Sequence, residues 1–211
     1  MHESSKAVMR RLHDSRFATR YFAGHGIDIG AGADSLGQYK EQFPLMLSCR
    51  NWDLKDGDAQ VLESIADESL DFVHSSHCLE HMRDPFTAMD NWLRVLKPGG
   101  HMIVIVPDED LYEQGIFPST FNLDHKWTFT VCKADSWSEQ SVNLTDLLKR
   151  CADRAQVIKI EQLDATYRFG LNRFDQTLTP VGECALEIVL RKLLPDEINR
   201  RGRYRDPDKA A

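Results

Sequence analysis

The segment Gly26-Ile27-Asp28-Ile29-Gly30-Ala31-Gly32 constrains the fold more than any other stretch of the chain. A short apolar strand carrying one carboxylate runs directly into a tight glycine turn. In a parallel α/β sheet such a turn sits at the carboxyl end of the first strand, where ligands bind. Gly30 and Gly32 have no side chain, so the backbone can adopt positive φ and approach a ligand closely. The segment therefore predicts an α/β sheet that holds a nucleotide-like cofactor at its first turn.

The rest of the chain alternates in the way such a sheet requires. Residues 6–22 read as a helix with Val8, Met9, Leu12, Phe17 and Phe22 on its apolar side and Arg10, Arg11, Arg16 and Arg20 on a solvated face. Strands are expected at 26–29, within 45–53 and at 70–74. Asp84 is placed to cap a helix that has Pro85 at its first position and Phe86, Met89, Leu93 and Leu96 toward the sheet. Lys97 suits the end of that helix, and Pro98-Gly99-Gly100 stops it. Residues 102–106 form an unbroken apolar run, as in a strand buried on both faces. Residues 107–140 show no clean period and read as an insertion on the substrate side. A helix over 144–154 and strands within 156–162 and 185–190 follow, the last two free to pair antiparallel at one edge. The expected fold is a doubly wound, Rossmann-like, mostly parallel sheet with an antiparallel edge strand, in one domain spanning residues 1–211. The charged tail after Pro195 reads as mobile.

Composition removes several function classes. The net charge of −7 argues against nucleic acid, whose phosphates need a basic face. No apolar run approaches the roughly 20 residues of a membrane span, and the first residues lack a secretory apolar region, so a cytoplasmic protein is expected. The five cysteines are scattered without a CxxC pair and read as buried free thiols. No oligomeric state is encoded in these features.

Gly30-Ala31-Gly32-Ala33-Asp34-Ser35 departs from G-x-G-x-x-G at its last position, which leans away from a dinucleotide. Four further motifs follow in order: Gly57-Asp58-Ala59; Ser69-Leu70-Asp71-Phe72-Val73; Leu79-Glu80-His81 with Asp84-Pro85; and Arg94-Val95-Leu96-Lys97-Pro98-Gly99-Gly100. Together with the opening turn this set resembles the class I S-adenosylmethionine-dependent methyltransferases, in particular their type 11-like, small-molecule branch. The resemblance is strong over residues 24–108 and weak beyond. It implies S-adenosylmethionine as cofactor. It places Asp28 at the methionine end and Gly30, Ala31 and Gly32 against the methionine and ribose. Asp53 would hold the ribose hydroxyls, Asp58 and Ala59 would border the adenine, and Ser75, Ser76 and His77 would line the floor. Each acid has a plainer alternative: Asp28 could cap the adjacent turn, and Asp53 and Asp56 could be turn acids. One departure matters. The family usually has a helix and a strand between the ribose acid and Gly-Asp-Ala, yet only four residues separate Asp53 from Asp58 here. A helix does not fit. The sheet is therefore expected to lack one strand–helix unit after its second strand, or another residue holds the ribose; Trp52 and Gln60 could then help enclose the adenine.

Methyl transfer needs in-line alignment and exclusion of water, and a hydroxyl acceptor also benefits from a base. His125 is the first candidate for that base and His81 the second. His77, Glu80 and His81 stand at i, i+3 and i+4, on one face if helical. A divalent metal with His125 as fourth ligand, a metal-free base or substrate role, and structural hydrogen bonding all remain open for this group. Asp108, Glu109, Asp110 and Tyr112 follow the buried strand. Phe117, Phe121, Asp124, Lys126, Trp127 and Phe129 then mix aromatic faces with polar groups, which suits a sugar or a similar polyhydroxylated small molecule, or else closes a satellite core. A cofactor-binding module without catalysis, an RNA methyltransferase using Arg191, Lys192, Arg200, Arg201, Arg203 and Arg205, and a nicotinamide oxidoreductase are the other readings.

Overall fold

The computed structural model describes residues 3–200, without the side chain of Arg200. The chain enters through α1 (Glu3–Leu12) and then β1 (Gly24–Ile29), β2 (Met46–Trp52) and β3 (Leu70–Ser76). Next come α2 (Pro85–Val95), β4 (Leu96–Pro107), β5 (Thr128–Thr130), β6 (Ser141–Asn143), α3 (Leu144–Cys151), β7 (Ala155–Leu163), β8 (Ala185–Lys192) and α4 (Pro195–Arg200). Six strands form one sheet in the order β2-β1-β3-β4-β8-β7, while β5 and β6 pair separately. The first four strands run parallel, and β8 is antiparallel to both of its neighbours. The reversal thus falls at the expected edge, with β8 one strand in from the end.

Residues 53–69 contain one helical turn, Leu54–Asp56, and no strand. β2 is therefore the sheet edge, as the short spacing between Asp53 and Asp58 requires. Alternation along the strands divides the core. Ile27, Ile29, Val73, Met102, Val104 and Val106 face α2 and α3, where Trp92, Leu93, Leu144 and Leu147 cover them. Phe72, Ile103 and Val189 face the other way, against Phe17, Phe22 and Phe43. Asp84 caps α2 by accepting from Phe86 N at 2.9 Å. Among the described residues no helix is long and apolar enough to cross a membrane.

Several sequence expectations change. The helix expected over 6–22 breaks at residues 13 and 14, because Asp14 Oδ1 accepts from Arg16 N at 3.1 Å and starts a separate π-helical turn, Phe17–Tyr21. Its basic face is not all solvated: Arg11 is 1% exposed, stacked over Phe17 and Phe22, and Arg10 pairs with Glu183 and Glu187. α2 ends at Val95, and Lys97 and the Pro-Gly-Gly stretch already belong to β4, where Lys97 pairs with Asp71. α3 ends at Cys151. All five cysteines are free, but Cys132 is exposed and Cys49 half-buried. The insertion is not wholly irregular: it holds a π-helical turn, Glu109–Glu113, and β5. Of the tail, Pro195–Arg200 is helical, and Arg201, Arg203 and Arg205 lie outside the described residues.

Candidate functional site

The glycine turn at the end of β1 borders a cavity of about 220 Å³ lined by Glu3, Ser4, Asp28, Gly30–Asp34, Ser76 and His77. Gly30 has φ +75° and Gly32 φ +55°, so both use the left-handed region open to glycine. Asp28 is 2% exposed. The parallel register sets it beside His74 of β3 on the same face. Its Oδ1 lies 2.6 Å from His74 Nδ1, and its Oδ2 accepts from Leu36 N at 2.7 Å. Arg11 Nη2 lies 2.9 Å from His74 Nε2. A guanidinium can only donate, so His74 accepts at Nε2 and donates from Nδ1 to Asp28. Burial holds the His74 pKa below its ordinary value, consistent with a neutral ring.

Asp53 continues the site. Its Oδ1 accepts from Gly32 N at 3.0 Å, and its own N donates to Asp56 Oδ2 at 2.9 Å. Beyond it a second cavity, about 330 Å³, is lined by Trp52, Asp56, Gly57, Asp58, Val61, Glu63 and Ser64. Asp58 is exposed and engaged: it accepts from Arg83 Nη2 at 2.6 Å and from Gln60 N at 2.9 Å, and the Arg83 bond lowers its pKa. Ala59 is half-buried, with its carbonyl accepting from Trp92 Nε1. Gln60 is buried and accepts from Asp84 N. Ser75 is fully buried and donates to Ile29 O at 3.2 Å, so its hydroxyl serves the sheet. Ser76 Oγ, by contrast, is buried on the cavity wall with no hydrogen-bond partner among the described residues.

The histidines gather where the chain leaves β3. His77 adopts φ +52°, a strained conformation for a side chain with a Cβ. Its ring is buried, and burial pushes its pKa down to about 3. His77 Nε2 lies 3.8 Å from Glu3 Oε2, and Nδ1 lies 3.7 Å from Glu80 Oε1. Burial raises the Glu80 pKa, and takes that of Glu3 to about 7. His125, from the insertion, is buried and pairs through Nδ1 with Glu113 Oε1 at 2.7 Å. His81 is partly exposed and pairs through Nδ1 with Asp124 Oδ2 at 2.9 Å. The structure thus brings together His77, Glu80, His81 and His125. The other insertion residues divide. Phe121 and Tyr112 line a third cavity of about 680 Å³, with Ser5, Lys6, Asn122, Asp175 and residues 177–180. Phe129 is core, Trp127 packs on the core, and Phe117 is half-buried. Asp108 caps the turn after β4, and Glu109 is fully buried among Thr128, Ser136 and Ser141.

Residues 14–104 match a family model described as a methyltransferase domain. The matched residues carry a methyltransferase domain, and the fold around them is the one seen in S-adenosylmethionine-dependent methyltransferases. The methyltransferase is similar in fold to a putative S-adenosylmethionine-dependent methyltransferase from Listeria monocytogenes, with TM-score 0.56 and 11% identity over 92% of this chain and 100% of that one. A putative methyltransferase from Bacillus halodurans gives TM-score 0.53 and 13% identity, over 87% of this chain and 96% of that one. A chain from the complex between the Haloferax volcanii Trm112 methyltransferase activator and a putative methyltransferase gives TM-score 0.51 and 14% identity, over 92% and 99%. No curated protein matches the methyltransferase by sequence.

Sequence reasoning missed several residues of this candidate site. Glu3 and Ser4 reach the cavity from α1, 25 or so positions before the turn they cover. Arg11 and His74 hold Asp28, and Glu113 holds His125. Only His74 carried a usable signal: it lies two positions from Phe72, on the same face of a strand adjacent to β1.

Proposed function

We propose that this methyltransferase moves the S-adenosylmethionine methyl group to a hydroxyl of a small polyhydroxylated acceptor, a sugar or related metabolite, in the cytoplasm. The observation that carries this reading is that the first turns of α1 form a wall shared by two cavities. Glu3 and Ser4 line the cavity at the glycine turn, and Ser5 and Lys6 line the larger one. In this reading the cofactor spans the 220 and 330 Å³ cavities, which flank Asp53. Its methionine end lies against Gly30, Ala31, Gly32, Ser76 and His77, its ribose at Asp53, and its adenine near Trp52, Asp58 and Ala59. Asp28 shapes the turn and contributes its negative charge to the methionine end. Ser75 supports the floor from behind. The acceptor occupies the larger cavity, where Tyr112 and Phe121 offer ring faces and Asn122, Asp175 and Thr177 offer hydrogen bonds. The whole chain then acts as one domain, with residues 107–140 as its acceptor-side insertion.

The sulfonium makes the methyl carbon electrophilic without help. The acceptor oxygen forms its bond to that carbon as the carbon–sulfur bond breaks, and the electron pair stays on sulfur. Alignment and dryness are what the protein adds. The hydroxyl loses its proton at the cluster that contains His81 and His125. Tyr112 stacks against His125 at 5.2 Å between ring centres, so the cluster adjoins the acceptor cavity through one ring.

The test pairs binding with transfer. S-adenosylhomocysteine at a hundred times its Kd should stabilise the protein by about 2.7 kcal/mol, a Tm rise of roughly 5–11 °C for a chain of this size. Label from methyl-labelled S-adenosylmethionine should enter a neutral sugar or glycoside panel. Transfer to RNA alone would replace the acceptor class, and cofactor binding without transfer to any acceptor would reduce the chain to a binding module.

A further inference from the structure

Glu80, His81 and His125 converge on one point, next to His77 of the glycine-turn cavity and Tyr112 of the larger cavity. Glu80 Oε1 lies 3.8 Å from His81 Nε2 and 3.8 Å from His125 Nε2. One donor atom from each of the three lies within 4.8 Å of the others. With metal–donor bonds near 2.0–2.1 Å, neighbouring donors around a tetrahedral Zn²⁺ stand about 3.4 Å apart. The two Glu80 distances exceed this by only a few tenths of an ångström.

The far nitrogens are already committed. Glu113 Oε1 lies 2.7 Å from His125 Nδ1, and Asp124 Oδ2 lies 2.9 Å from His81 Nδ1. An ionised carboxylate only accepts, so each Nδ1 carries the hydrogen and each Nε2 turns a lone pair toward Glu80. Three electron-rich atoms then face one another inside the protein. Glu80 Oε1 and Oε2 and His125 Nε2 have no hydrogen-bond partner among the described residues. Glu80 and His125 side chains are 0% exposed. Buried polar groups are rarely left in that condition, and a cation at their centre satisfies all three donors at once.

We propose that Glu80, His81 and His125 bind one divalent cation of the Zn²⁺ type, with Glu113 and Asp124 orienting the two imidazoles. Two imidazoles and one carboxylate suit Zn²⁺ and neighbouring first-row ions better than Mg²⁺ or Ca²⁺, which prefer all-oxygen sites. The cation ties the insertion to the turn after β3, two segments far apart in the chain. Three protein donors leave a fourth position for water or, resting on the methyl-transfer reading, for the acceptor hydroxyl. A bound hydroxyl loses its proton to solvent near neutral pH, and the resulting oxygen attacks the methyl carbon as sulfur departs. His81 and His125 then act as ligands and not as free bases.

The experiment uses the full chain, stripped with a chelator and titrated with ZnCl₂ by calorimetry and with CoCl₂ by visible absorption. The expected result is one tight Zn²⁺ site per chain, with intense Co²⁺ bands. Glu80→Gln and His125→Ala should lose the site. Glu113→Gln keeps all three ligands and the side-chain shape, and should weaken Zn²⁺ about 10–100-fold; it carries the test if His125→Ala does not fold. S-adenosylhomocysteine affinity, read on the same stripped samples, reports the methyltransferase reading separately. Wild type with no stoichiometric site, or Zn²⁺ affinity unchanged in Glu80→Gln and Glu113→Gln, overturns the proposal.

Discussion

Asp28→Asn separates two roles for the carboxylate at the heart of the glycine turn. In the folded protein both carboxylate oxygens accept a buried hydrogen bond, one from Leu36 N at 2.7 Å and one from His74 Nδ1 at 2.6 Å. Asparagine has one acceptor oxygen and one NH₂ donor. Whichever way the amide turns, its NH₂ meets an N–H. His74 cannot relieve this by changing tautomer, because its Nε2 would then point a hydrogen at the Arg11 guanidinium 2.9 Å away. One charge-assisted bond is lost, for about 1.5–3 kcal/mol, and a buried donor is left facing another donor. The expected loss is about 3 kcal/mol in the absence of any ligand. That corresponds to a Tm fall of roughly 6–12 °C, or a lowered urea midpoint at unchanged slope. Thermal and urea unfolding of the ligand-free protein measure it. Were Asp28 there only to touch the cofactor, Asp28→Asn would weaken S-adenosylhomocysteine while leaving ligand-free stability untouched. Stability within about 0.5 kcal/mol of wild type, the ordinary scatter of neutral substitutions, would refute the hydrogen-bond account.

Gly30→Ala and Gly32→Ala should fail differently. A Cβ at Gly30 would stand 2.6 Å from Cys78 Cβ at φ +75°, so roughly 2–4 kcal/mol of stability should be lost to overpacking and left-handed strain, seen as a lower Tm. A Cβ at Gly32 meets no described atom within 4 Å; that variant should lose only about 1 kcal/mol from its φ of +55°, yet bind S-adenosylhomocysteine more weakly because the methyl group enters the cofactor space. His77 has a folded pKa of about 3, below its unfolded value, so it favours the folded state above the unfolded pKa and loses that contribution as pH falls toward 3. Between pH 7.5 and 5.5 wild type should therefore lose about 1.4 kcal/mol more than His77→Gln, in urea unfolding of both proteins; Glu3, raised to about 7, pulls the other way and is common to both. Arg83→Ala breaks an exposed pair with Asp58, and should change stability by no more than the roughly 0–1 kcal/mol such pairs are worth, a Tm shift of at most about 4 °C.

The glycine turn and the start of α2 were legible in the sequence because local rules produce them. Glycines at 30 and 32 are needed wherever the chain turns with positive φ, and Asp84-Pro85 announces a helix start from neighbouring residues alone. The missing strand–helix unit was legible too, since four residues between Asp53 and Asp58 leave no room for either element. The packing of residues 107–140 was not. Phe117, Phe121, Trp127 and Phe129 look alike in sequence, yet only Phe121 of these lines the large cavity while Phe129 closes the core. The basic face of residues 6–22 looked solvated, but the sheet behind it carries Glu187 and His74, which draw Arg10 and Arg11 inward.

By itself, then, the order of motifs determined the sheet and its glycine turn, because each depends on residues within a few positions of one another. Tertiary structure alone decided what surrounds the histidines. Glu113 and His125 meet Glu80 and His81 across more than 30 residues, and Glu3 reaches His77 from the far end of the chain. No periodicity or spacing rule links such positions, because packing of the insertion and of α1 onto the sheet brings them together.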